Sequence, residues 1–217
     1  MNAKSISAVA YLAAGFVIAL VVHEYAHALV SARLGDHTPR QHGRLSLNPQ
    51  VHLDRFGSVV LPGILLLITL FDHGALGFVF GYAKPQPQNP WTLPRQDRHA
   101  VFIALAGPAG NLVLSFGFGA LYRLAGGAGE LGRFIAACLL TNVIMAAMNL
   151  IPIPPLDMSR VVARTLPPRA REVMTNLEQY GALFMLLVFF VLSTPILGIV
   201  RVIGNGICQL TAGVNCL

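Results

Sequence analysis

Charge is what this sequence has least of. Only 11% of its 217 residues are Asp, Glu, Lys or Arg, 55% are hydrophobic, and the mean hydropathy is +0.65. Soluble proteins carry about 25% charged residues. So few charges cannot cover a water-facing surface, which excludes an ordinary soluble enzyme, a disordered chain and a coiled coil. Three cysteines, none in a CxxC pair, exclude a disulfide framework. No internal repeat and no low-complexity tract is present. The net charge of +6 is not read as a nucleic-acid footprint. In a membrane protein, excess Lys and Arg marks the cytoplasmic loops.

Long apolar sequence is what the chain has instead. A bilayer core takes about 20 apolar residues in helical form. Stretches between charges predict spans over 5–32, 100–122, 134–156 and 179–200. The first is too long for a signal peptide and lacks a small-residue cleavage site. A further apolar segment, 56–83, contains Pro62, Gly63 and a central Asp72-His73, and is read as a re-entrant hairpin. With the first helix running inward, that reading places Arg33, Arg40, Arg44, Arg55, Lys84, Arg95, Arg98, Arg160, Arg164, Arg169 and Arg171 inside. Lys4, Arg123, Arg133 and Arg201 fall outside. If the segment spanned fully, Lys84, Arg95 and Arg98 would move outside and the asymmetry would shrink. Re-entrant backbone needs protein or a wet cavity around it, so a site is expected beside it.

Four prolines keep 81–94 extended, and the alternation Arg44-Leu45-Ser46-Leu47 suits a short strand. The expected fold is one all-α polytopic membrane domain over 1–217. It is a helical bundle with a re-entrant hairpin and a short β element on the cytoplasmic side. Cys208 and Cys216 fall in the outer tail, where they can pair.

One motif carries chemistry. His23-Glu24-Tyr25-Ala26-His27 is HExxH inside an apolar helix. Residues i and i+4 share a helical face, so both imidazoles can grip one metal, and Glu24 can take a proton from its water. Ionisable groups at membrane depth are costly and default to function. A catalytic zinc wants three protein ligands and an open position. The metzincin continuation fails, because its positions hold Val30 and Arg33. A thermolysin-like downstream Glu fails too, because the next one is Glu130 in the outer turn. Of the remaining acids, only Asp157 joins the inner side to an apolar span, at the break made by Pro152, Pro154 and Pro155. His52, also on the inner side, competes with it as third ligand.

These motifs together resemble the site-2 protease family of intramembrane zinc metalloproteases, in its compact bacterial form without a PDZ or CBS domain. The match lies in HEYAH, GRLSLNPQVHLDRFG, FGYAKPQPQNP, GPAGN at Gly107–Asn111 and NLIPIPPLD at Asn149–Asp157, in the family's order over nearly the whole chain. The resemblance implies one zinc per chain on His23, His27 and Asp157, with Glu24 as general base. It places Asn111 and Asn149 near the site. Either could bind the substrate backbone or the developing oxyanion, or simply bond between helices. One departure stands out: the family's LDG reads Leu156-Asp157-Met158 here.

The expected activity is hydrolysis of peptide bonds in or near transmembrane segments of membrane proteins. The expected partners are the bilayer and a transmembrane protein substrate, such as a membrane-bound anti-sigma factor. The expected location is the cell (inner) membrane, multi-pass, with the active site opening toward the cytoplasm. The alternatives are a membrane metal transporter using the same donors, and a proteolytically silent membrane-binding factor.

Overall fold

The computed structural model describes residues 3–65 and 81–217. The chain enters α1 (Ala3–Arg33), makes the short helices α2 (Thr38–Gln41) and α3 (Pro49–His52), and starts α4 (Phe56–Leu65). It returns through an extended segment with one 3-10 turn, Pro90–Thr92. Then follow α5 (Gln96–Ala125), α6 (Gly129–Asn149), α7 (Asp157–Ala163), α8 (Pro168–Gln179) and α9 (Gly181–Ala212). Among the described residues, four helices are long and apolar enough to cross a membrane: Ile6–Arg33, Gln96–Ala125, Gly129–Asn149 and Thr194–Ala212. The protein is an all-α polytopic membrane protein.

Helices α1, α5 and α6 pack on one another, and α9 closes the bundle against α5 and α6. Small residues permit the close approach. A Cβ on Gly15 of α1 would lie 2.7 Å from Thr141 Oγ1 and 3.0 Å from the Ala137 carbonyl of α6. In a membrane, such contacts replace the hydrophobic drive that water provides elsewhere. Two buried apolar clusters bind α6 to α9, one around Met148, Ile151 and Ile196, the other around Leu139, Val143 and Cys208. The helices alternate in direction. Arg33, Arg95, Arg98, Arg160, Arg164, Arg169 and Arg171 gather at one end, where Arg164 pairs with Asp97 at 2.7 Å. Arg123 and Arg133 sit at the other, with Glu130 and Tyr11.

The structure moves several span boundaries, two of them at the C-terminal ends of α6 and α9. Helix α6 ends at Asn149, not 156, because Pro152, Pro154 and Pro155 cannot continue it. Helix α9 runs past 200 to Ala212, because a single exposed Arg201 does not stop an apolar helix. Gly213 stops it, in the left-handed conformation. Cys208 and Cys216 form a disulfide across that turn, while Cys138 is free and buried.

The turn of the expected hairpin, with Asp72 and His73, lies outside the described residues. Its flanks meet. The Tyr82 N–H donates to the Gly57 carbonyl at 3.0 Å, and Ser58 Oγ donates to the Tyr82 carbonyl at 2.7 Å. The short β element is a single antiparallel bridge, Leu53 with Ala83, and not a strand over Arg44–Leu47. The latter segment has no strand partner among the described residues. The Ser46 carbonyl is taken by the His52 side chain, and Arg44 reaches over to the Val51 and Pro85 carbonyls.

On both sides of that bridge the segment from Gly81 onward runs alongside α1. A Cβ on Gly81 would lie 3.1 Å from the Phe16 ring. Asn89 N–H donates to Asp36 at 2.9 Å, and Gly35 lies under Thr92 and Pro94. Prolines keep the backbone extended, so a few residues cover several turns of helix.

Candidate metal centre

Spacing on α1 brings the first two donors together. His23 and His27 are one turn apart, and their Nε2 atoms lie 3.1 Å from each other. The third donor arrives from the far side of the bundle. After α6 breaks at Asn149, the proline-rich turn leads into α7, whose first residue is Asp157. Its Oδ2 lies 3.0 Å from His23 Nε2 and 3.2 Å from His27 Nε2. All three side chains are buried.

The other imidazole nitrogens decide what these atoms offer. His23 Nδ1 is 2.7 Å from Asn111 Oδ1, and His27 Nδ1 is 2.6 Å from the Ile103 carbonyl. Both partners are acceptors, so both Nδ1 atoms carry the proton and both Nε2 atoms present lone pairs. Two lone pairs and a carboxylate thus converge on one point, which is what a divalent cation needs. Donors of a tetrahedral zinc with bonds of about 2.0–2.1 Å lie about 3.3–3.4 Å apart, close to the separations here. The residues therefore fit the group.

Helix α5 is shaped to this cluster by the GPAGN motif. A Cβ on Gly107 would lie 2.6 Å from His23 Nε2 and would also strike His27 Nε2. Pro108 has no N–H for the Ala104 carbonyl, the residue after Ile103, whose own carbonyl meets His27. Gly110 lets Ala26 of α1 approach. Asn111 is wholly buried behind His23, and its Nδ2 donates to the Ala19 carbonyl at 2.9 Å and to Asn142 Oδ1 at 3.0 Å. Asn142 donates in turn to the Cys138 carbonyl at 2.8 Å. Of the two roles open to Asn111, this geometry matches bonding between helices, because its polar atoms are engaged inside the bundle.

Asn149 spans the break between α6 and α7. Its Nδ2 donates to the Met145 carbonyl at 3.0 Å, and its Oδ1 accepts from Asp157 N–H at 3.4 Å. Met158, where the family has glycine, is an ordinary helical residue of α7. No left-handed turn is needed there, so a side chain carries no backbone strain. His52, the competing ligand, is buried elsewhere, with Nε2 on the Ser46 carbonyl at 2.7 Å. Among the described residues, His23, His27 and Asp157 form the one His/Cys/Asp/Glu group able to share a metal. Glu24 is half-buried on the same turn.

Known proteins place the chain. It is 34% identical to the Bacillus subtilis protein named "Putative zinc metalloprotease YwhC", over 85% of this chain and 82% of that protein. It is 32% identical to "Putative zinc metalloprotease Rip2" of Mycolicibacterium smegmatis, over 85% of this chain and 67% of the relative. The Rip2 of Mycobacterium tuberculosis is 30% identical over 81% of this chain and 65% of its own length. The chain belongs to the site-2 protease family. No family model matches it, and neither does a solved structure.

Family membership was legible from the motifs, but four groups around the site were not. The Ile103 carbonyl has no sequence signature. Asn142 has one, as an amide in the middle of an apolar span. Asp36 and Gln86 lie in loops whose approach to α1 only the fold reveals. Asp36 is fully buried and accepts from Ser31 Oγ, Thr38 N–H and Asn89 N–H at 3.1, 3.0 and 2.9 Å. Burial alone would raise its pKa, but the hydrogen bonds from Thr38, Asn89 and Ser31 prevail and hold the carboxyl below its usual range.

Proposed function

We propose that this protein is an intramembrane zinc metalloprotease that hydrolyses peptide bonds in or near transmembrane segments of other membrane proteins. The observation that carries the reading is the meeting of His23 Nε2, His27 Nε2 and Asp157 Oδ2 within 3.2 Å of one another, next to Glu24 on a membrane-length helix. Relatives named as zinc metalloproteases support the same reading.

Held by these three donors, a zinc ion would supply a Lewis acid able to polarise a carbonyl and to bring the pKa of water from about 15.7 to about 7. The chain does the rest. Asn111 and Ile103 hold the imidazoles in one tautomer, so that both Nε2 atoms stay unprotonated. Glu24 takes the proton of the attacking water and delivers it to the leaving amine as the C–N bond breaks. Asn149 holds the turn that aims Asp157. His23 lies ten residues before Arg33, so the chemistry takes place about 15 Å along α1 from that charge. A helical substrate shields its peptide bonds with its own hydrogen bonds and must unwind locally to react.

The seven arginines at one end of the bundle support a cytoplasmic orientation of that end, where α1 finishes and α7 begins. On this reading the site opens toward the cytoplasm from the cell membrane, and the substrate is a regulated membrane protein, such as a membrane-bound anti-sigma factor. The test is to reconstitute the zinc-loaded protein in vesicles with a single-span substrate and to map the products by mass spectrometry. Cuts within or beside the apolar segment are expected. Cuts confined to distant soluble loops, or none, would refute the reading. A metal transporter would instead move zinc across the vesicle and leave the substrate whole.

A further inference from the structure

Among the described residues outside the metal donors, Gln86 of the proline-rich segment reaches Glu24. With its amide turned so that nitrogen meets acceptors and oxygen meets a donor, Gln86 Nε2 donates to Glu24 Oε2 at 3.1 Å and to the Glu24 carbonyl at 3.3 Å. Its Oε1 accepts from Ala28 N–H at 2.8 Å. The opposite orientation sets oxygen against acceptors and nitrogen against a donor. The Glu24 carbonyl and the Ala28 N–H are the i and i+4 partners of one helical turn. That turn follows directly on His23 and contains His27, so Gln86 grips both the backbone and the carboxylate of the segment that carries the chemistry.

The segment is held in place independently of that grip. Pro85 and Pro87 fix the backbone on either side of Gln86. The Lys84 N–H donates to the His52 carbonyl at 2.9 Å, Arg44 holds the Pro85 carbonyl at 3.2 Å, and Asn89 N–H is on buried Asp36. Removing the Gln86 side chain therefore leaves the segment anchored on both sides.

We propose that Gln86 is a positioning residue for Glu24. Its amide holds Oε2 and so fixes the carboxylate plane, leaving Oε1 for proton transfer. The proposal rests on the reading of Glu24 as general base. A carboxylate free to rotate must find its reactive orientation in each turnover, and a held one does not. Gln86 acts on the base and not on the substrate, so its effect falls on kcat and spares KM.

The experiment compares the full-length wild type with Gln86→Met, Gln86→Glu and Glu24→Gln. It uses a single-span substrate and measures kcat, KM, zinc per chain and melting temperature. Both Gln86 variants are expected to lower kcat by about 10- to 50-fold, a part of what a general base contributes. KM should stay within about twofold, with zinc and melting temperature unchanged. Gln86→Glu keeps the length and the acceptor for Ala28 but turns the donor into an acceptor that repels Glu24, so it reads the contact even if Gln86→Met folds poorly. Wild-type kcat in both variants, with Glu24→Gln silent, would overturn the positioning role alone. So would a loss confined to KM, or a loss of zinc or folding in both. Normal cleavage by Glu24→Gln would instead remove the general-base reading, and this proposal with it.

Discussion

Asn111 stands directly behind His23, with Oδ1 on its Nδ1 at 2.7 Å and Nδ2 shared between Ala19 and Asn142. The amide is thereby locked, and it locks the imidazole. Partners behind a ligand typically contribute about 10- to 100-fold in metal affinity. Asn111→Ala is expected to weaken zinc binding by that much in a chelator competition. Asn142→Ala, one step further back, should have a smaller effect of the same sign. Unchanged zinc affinity in Asn111→Ala would show that His23 needs no such support.

Gly107 answers a steric demand at the same place. A methyl there would lie 2.6 Å from His23 Nε2. Packed interiors do not absorb such an overlap without moving the neighbour. Gly107→Ala should lower activity at least about 100-fold, the loss expected when a ligand moves by about 1 Å. Zinc should fall with it, while the helical content by circular dichroism stays. Full zinc and activity in that variant would contradict the geometry.

Much of this site could be read from the sequence, and the reason is local. HExxH needs only helical periodicity to become two converging donors. The polyproline break after Asn149 needs only the chemistry of proline to deliver Asp157 at a helix start. What could not be read depends on which helices face each other. GPAGN gave small residues and an amide, but not that Gly107 would cradle two imidazoles. Asn111 could have met substrate or bonded between helices, and only its burial against α1 and α6 shows that its amide engages His23, Ala19 and Asn142. The strand expected over Arg44–Leu47 followed from alternation alone, which says nothing about a partner. The observed bridge uses Leu53 and Ala83, beside the hydrogen bonds that join Gly57 and Ser58 to Tyr82.

Asp36 makes the anchoring of the proline-rich segment sensitive to acid. Its folded-state pKa lies below the ordinary carboxylate value. The stabilisation is therefore complete above the ordinary carboxylate range and is lost as pH falls through the lower, folded-state value. Asp36→Asn should destabilise the neutral protein by about 1–3 kcal/mol, the cost of disturbing buried hydrogen bonds. The difference in melting temperature from wild type should shrink as pH drops through the acid range. A difference that grows on acidification would reverse the sign of the argument.

The disulfide makes a countable prediction. Cys208 and Cys216 are paired eight residues apart and Cys138 is free. Denatured but unreduced protein should show one titratable thiol per chain, and three after reduction. Closing so short a loop is worth about 2.5 kcal/mol in the chain-entropy model. Reduction should lower the melting temperature while leaving zinc in place, since His23, His27 and Asp157 belong to α1 and α7. Three thiols without reductant would contradict the pairing.

The central claim is that Glu24 moves the proton while His23, His27 and Asp157 hold the metal. The most direct measurement is cleavage of a single-span substrate by Glu24→Gln, alongside its zinc content. The account predicts one zinc per chain and no cleavage. Cleavage at the wild-type rate by the zinc-loaded variant would contradict it.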